Sequence, residues 1–242
     1  MQTIFYKASD RGHANHGWLN TYHTFSFSNY YNPARINFGA LRVVNDDTIA
    51  GGMGFGKHPH DNMEIITIPL HGDLEHEDSM GNKGIIRHGD VQVMSAGSGI
   101  LHSEFNANKD QEVQLFQIWV FPNKENVKPR YQQESLFFTD ERAKNKLQQI
   151  VSPDSNDEGL WIHQDAWFNI GFFEKGFEFD YPLKVAGNGL FAMVIEGSFE
   201  VGGKQLDRRD ALGLWDTPSV KIKALSDDAR ILLIEVPMTL GE

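Results

Sequence analysis

GIIRHGDVQVMSAGSG, residues 84–99, is a brief apolar run closed by glycine at both ends, and its reading decides the fold. A run this short, bounded by Gly and Asp, suits a strand and is too brief for a helix. Three more of the same kind lie around it: INFGALRVV (36–44), MEIITIPL (63–70) and VQLFQIWVF (113–121). Apolar residues do not recur at helical spacing between them, so 36–121 reads as an all-β barrel or sandwich. Asp46-Asp47, His71-Gly72-Asp73, Met80-Gly81-Asn82-Lys83-Gly84 and Gly89-Asp90 stand between the runs. Such residues tolerate positive φ, which predicts hairpins joining antiparallel neighbours.

Beyond this segment, PNKENVKPR (122–130) is polar, carries two prolines and is the expected connection out of a first barrel. TDERAKNKLQQI (139–150) reads as a short helix, with Thr139 or Asp140 as N-cap and acidic residues in its first turn. The β signature returns in WIHQDAWFNIGFF (161–173), FEFDYPL (177–183), GLFAMVIEGSFEVGG (189–203) and ARILLIEVPM (229–238). Two β domains are therefore expected, over residues 1–134 and 135–242, and a chain of 242 residues can bury a core in each.

Composition narrows the chemistry. With no cysteine, thiolate chemistry and disulfides are excluded, and any metal must be held by nitrogen and oxygen donors. A formal charge of −11, from 22 basic against 33 acidic side chains, disfavours direct binding to nucleic acid. MQTIFYKASDRGHANHGW at the N-terminus has neither the basic stretch nor the apolar core of a secretory signal, and no apolar run approaches membrane-spanning length. A cytoplasmic protein with no membrane contact is expected.

His58-Pro59-His60 puts two imidazoles at i and i+2, which on a strand share one face. His102-Ser103-Glu104 repeats the device with an imidazole and a carboxylate. One such pair could equally be surface residues beside a turn. Two pairs in one β-rich segment, with nine of ten histidines at or before residue 102, point to a single metal site built from His58, His60, His102 and Glu104. Three imidazoles and a carboxylate suit Fe(II), Mn(II), Ni(II), Cu(II) or Zn(II), and an incomplete shell would admit oxygen or substrate. His71, His76 and His88 fall in or beside the expected hairpin turns, where an exposed imidazole needs no task, and His13, His16 and His23 receive no role. Trp18, Tyr22, Phe25, Phe27, Tyr30, Tyr31 and Phe38 could floor a pocket for a flat phenolic ligand, with core packing the expected job of most. After His102 only His163 remains, so the second domain is expected to bind no metal.

The run from Gly52 through His58 and His60 to Glu64 resembles the first cupin motif, and Gly89-Asp90 through His102 to Asn106 resembles the second. Ser95-Ala96-Gly97 replaces the usual Pro-x-Gly, and the spacing to His102 is longer. HPHDNMEIITIPLHGDLEHEDS (58–79) and GDVQVMSAGSGILHSEF (89–105) look like segments of the pirins, bicupins in which three histidines and a glutamate bind the metal. The resemblance is strong over residues 10–121 and looser beyond. It implies two cupin (jelly-roll β-barrel) domains in tandem with short helices, the second without metal ligands. It also implies Glu104 as the fourth ligand, where ordinary cupins would use the residue at Glu64. Fe(II) becomes the leading ion. The implied activity is quercetin 2,3-dioxygenation of a phenolic or flavonoid substrate with O2, Glu104 taking the proton of the reacting hydroxyl. The alternative implied function is non-enzymatic: a metal-dependent, redox-sensing transcription cofactor with a protein partner.

Overall fold

The computed structural model describes residues 1–136 and 143–240. The early strands are β1 (Gln2–Tyr6), β2 (Gly12–Asn15), β3 (Leu19–His23), β4 (Leu41–Ile49), β5 (Gly54–His60), β6 (Glu64–His71) and β7 (Leu74–Asp78). Then come β8 (Lys83–Ile86), β9 (Asp90–Ser95), β10 (Ile100–Asn106), β11 (Val113–Val120) and β12 (Arg130–Ser135). The second half holds β13 (Lys146–Ser152), β14 (Leu160–Trp161), β15 (Trp167–Phe173), β16 (Glu178–Pro182) and β17 (Asn188–Glu196). It ends with β18 (Phe199–Val201), β19 (Lys204–Leu206), β20 (Ala211–Trp215), β21 (Ser219–Ala224) and β22 (Ala229–Pro237).

Each half is a seven-stranded sheet facing a four-stranded one. The first pairs β12-β9-β6-β11-β4-β3-β2 with β5-β10-β7-β8; the second pairs β1-β20-β17-β22-β15-β13-β14 with β16-β21-β18-β19. The outer faces of the two large sheets share one core, in which Val44, Ile66 and Phe116 meet Phe168, Phe191 and Ile234. β6, β9 and β17 are buried along nearly their whole length, and burial on both faces explains why β6 and β17 read as largely apolar runs. The small sheets have one wet face, and β7 and β10 alternate accordingly.

The structure departs from the sequence reading in several places. Asp46-Asp47 is no turn but the middle of β4, where the two carboxylates point to opposite faces. β6 and β7 are consecutive yet lie in different sheets, as do β5 and β6, so the glycine turns often carry the chain across the barrel instead of closing hairpins. Residues 122–130 lead back into the first barrel, because β12 pairs with β9. Of the expected helix 139–150, residues 139–142 lie outside the described residues, and Lys146–Ser152 is a strand paired with β15. Its Ile150 and Val151 enter the shared core, and that burial outweighs helix propensity. No α-helix occurs among the described residues; Ala8–Asp10 form a 3-10 turn. The division near 134 falls within β12, and β1 departs from it by joining β20 of the second half, with Tyr6 in the shared core. No helix among the described residues is long and apolar enough to cross a membrane.

Asp46 ties the two halves together. Its Oδ2 accepts from Arg11 and from Arg209, each at 2.9 Å, and Arg209 is nearly buried. Removing the carboxylate would leave Arg11 without its counter-charge and Arg209 with only the more distant Glu196, at 3.7 Å. Asp46→Ala is therefore expected to lower unfolding stability by about 3 kcal/mol, read as a lower urea midpoint, whereas a solvent-facing pair would cost almost nothing.

Candidate metal centre

β5 and β10 are antiparallel neighbours, with His102 opposite His58 and Ile100 opposite His60. Strict alternation on β10 turns Ile100, His102, Glu104 and Asn106 inward and leaves Leu101 and Phe105 exposed. A register shift follows His102, and Glu104 comes opposite Phe55. Gly54 permits the close approach there: a Cβ on it would stand 2.2 Å from the carbonyl oxygen of Glu104.

The ligand atoms of His58, His60 and His102 all lie within 4.8 Å of one another. Nε2 of His58 and Nε2 of His102 are 2.9 Å apart. His58 Nδ1 sits 2.8 Å from the Gly56 carbonyl, which can only accept, so Nδ1 carries the proton and Nε2 presents a lone pair. His60 Nε2 is buried with no hydrogen-bond partner, and its ring packs edge-on against Trp119 at 4.9 Å. Burial, then repulsion from the neighbouring imidazoles, pushes His60 and His102 down to about 3, so both are neutral at pH 7. Imidazole nitrogens bound about 2.1 Å from one ion stand about 3 Å apart, so this donor set fits a divalent cation.

Glu104 lies one pleat from His102 on the same face, but its carboxylate is not part of the 4.8 Å cluster. Gln117 Nε2 donates to its Oε2 at 2.8 Å, while Oε1 is buried with no hydrogen-bond partner among the described residues. Burial raises its pKa, partly offset by His76. Glu64 turns the other way. It accepts from Ser95 Oγ at 2.7 Å and stands beside Arg130, on the face that Ile66 and Ile68 bury between the two halves. Burial pushes it up to about 7.

Beside the imidazoles opens a cavity of about 730 Å³. Trp18, Leu19, Phe27, Tyr30, Phe55 and Trp119 form its apolar walls; His23, Asn45, Asp47, Gln117 and Glu104 line its polar side. Of the N-terminal aromatics, Phe25 and Phe38 are core residues and Tyr31 is exposed, whereas Trp18, Phe27 and Tyr30 face the cavity. His13 and His16 also reach it.

His76 was missed. It is fully buried on β7 directly opposite Glu104, stacks on Tyr131 at 4.7 Å and lies 5.3 Å from the His102 ring. The signal was present in LEHED (74–78), where alternation puts His76 on the face of buried Leu74. Asn45 and Asp47 were hidden by the mistaken turn.

Residues 5–120 match the family model described as Pirin, and residues 149–236 match the quercetinase C-terminal cupin domain. The chain is 42% identical over 231 residues to a quercetin 2,3-dioxygenase of Escherichia coli K12, covering 96% of this chain and 97% of that protein. It is 40% identical over 225 residues to a pirin-like protein of Caulobacter vibrioides, covering 93% and 95%. The crystal structure of the bacterial pirin YhhW of E. coli in complex with nickel(II) superposes with a TM-score of 0.91 at 40% identity, over 98% of this chain and 99% of that one.

The neutral histidines carry a pH signature. In the folded, metal-free chain His60 and His102 protonate only near 3, but in the unfolded chain they do so near about 6.5. The unfolded state therefore binds more protons between these values. The contribution of these two imidazoles should be complete above about pH 6.5 and fall as the pH drops toward 3, whereas Glu64 and Asp47, both raised to about 7, act in the opposite sense. The difference in urea midpoint between metal-free wild type and His60→Asn is therefore expected to change with pH across this range; parallel curves would contradict the burial of neutral imidazoles.

Proposed function

The chain belongs to the pirin family, and on that footing we propose that it is a metal-dependent dioxygenase that opens the heterocycle of flavonols such as quercetin with O2, releasing carbon monoxide. One observation carries the reading: a cluster of three imidazoles opens on an aromatic-walled cavity that also holds a buried carboxyl with one oxygen unpartnered among the described residues. His58, His60, His102 and Glu104 are the proposed ligands of one ion. When bound, the ion would acidify the flavonol 3-hydroxyl and supply redox chemistry toward O2. Fe(II) is the ion we favour, and the same donors accommodate nickel(II), the ion in the YhhW complex.

The chain's own residues have separable tasks. The Gly56 carbonyl fixes the His58 tautomer, so that Nε2 is always the free donor. Trp119 braces the His60 ring. Gln117 holds Oε2 of Glu104 and leaves Oε1 to bind the ion or, once displaced from it, to accept the proton of the 3-hydroxyl. Trp18, Phe27 and Phe55 exclude water and suit a planar ring system.

Metal-loaded protein is expected to consume O2 with quercetin and release carbon monoxide. Chelation should abolish turnover and a divalent ion restore it, while Glu104→Gln should lower kcat by about a hundredfold or more and His58→Ala should remove it. A folded, fully loaded sample that takes up no O2 with any of several flavonols would overturn the reading.

A further inference from the structure

Asp46 and Asp47 are neighbours on β4 with opposite circumstances. Asp46 faces the second half and is neutralised by two arginines. Asp47 turns into the cavity, is 4% exposed, and forms no ion pair among the described residues. Burial, then the charges of Asp46 and Glu104, pushes its pKa up to about 7 against the opposing influence of the Thr21 hydroxyl. A buried carboxyl without a cation costs stability, and proteins keep such groups mainly where a ligand uses them.

Its position suggests which ligand. Asn45 pairs with Gln117, the residue whose amide holds Glu104. Asp47 stands two residues further along β4, about 7 Å away by strand rise, and pairs with Leu115 and Thr21. Leu115 and Leu19 belong to the cluster against which Trp18 and Phe55 pack, their rings 5.2 Å apart. A flat ligand with one oxygen at Glu104 would cross Asn45 and Gln117 and bring its far ring to Asp47.

We propose that Asp47 determines specificity: its carboxylate accepts a hydrogen bond from a ring hydroxyl remote from the metal end of the ligand, selecting polyhydroxylated flavonols over flavonols bare on that ring. The inference rests on the dioxygenase reading for the ligand class and on β4 for the geometry. A ring hydroxyl satisfies the carboxyl, whereas a bare ring covers it unpaired, and the second arrangement forfeits a charge-assisted bond.

The test is anaerobic titration calorimetry of metal-loaded protein with quercetin and with 3-hydroxyflavone, which lacks the remote hydroxyls. Wild type is expected to bind quercetin more tightly by on the order of tenfold to a hundredfold. In Asp47→Leu that ratio should fall about tenfold through weaker quercetin binding, with 3-hydroxyflavone affinity kept within about twofold. Asp47→Asn, which still offers an acceptor, should retain most of the preference. An unchanged ratio in Asp47→Leu overturns the proposal, as does a wild type that binds both flavonols equally or neither; the wild-type series decides even if the leucine variant does not fold. Oxygen uptake separates the two readings. An Asp47-dependent preference without O2 consumption keeps the subsite and sinks the dioxygenase. Turnover of both flavonols with equal KM in wild type and Asp47→Leu does the reverse.

Discussion

Everything at this centre depends on the two-residue period of one antiparallel pair. Because β5 and β10 lie side by side with His102 opposite His58, the pleat delivers His58, His60, His102 and Glu104 to one interior face. The consequence is an electrostatically awkward cluster of two imidazole nitrogens 2.9 Å apart and a third with no partner. Burial keeps His60 and His102 neutral, and three imidazoles gathered this closely offer donors to a single cation.

The rest of the fold holds that pair rigid. The seven-stranded sheet behind the cavity is buried on both sides, by the barrel interior on one and by the second half on the other. It supplies Gln117 to orient Glu104 and Trp119 to brace His60. β4 serves both faces, with Asp46 tied to Arg11 and Arg209 across the inter-barrel contact and Asp47 in the cavity wall. The half of the chain without the histidine cluster thereby supports the half that has it.

Much of this was legible in the residues. Turn-bounded apolar runs identified the β fold, and two i, i+2 pairs identified the side chains that the barrel brings to one face, because strand alternation is a local property. Non-local facts escaped. Consecutive aspartates resemble a turn when the arginine partners of Asp46 lie 35 and 163 residues away. Residues 146–150 read as part of a helix until the core that receives Ile150 and Val151 is known. His76 seemed a turn residue because the glycines on either side outweighed the alternation in LEHED, and its cover, β10, is distant in sequence. The motif spacing was local, whereas the separation of Glu64 from the centre depends on which face of β6 meets the second half.

Metal stoichiometry tests the central claim most directly. Chelated protein titrated with a divalent ion and assayed by elemental analysis is expected to hold one equivalent per chain. The chain carrying both His58→Ala and His102→Ala, checked for native circular dichroism, should hold none. A wild type that stays empty, or a double variant that still takes up a full equivalent, would contradict a centre built on the β5 and β10 pair.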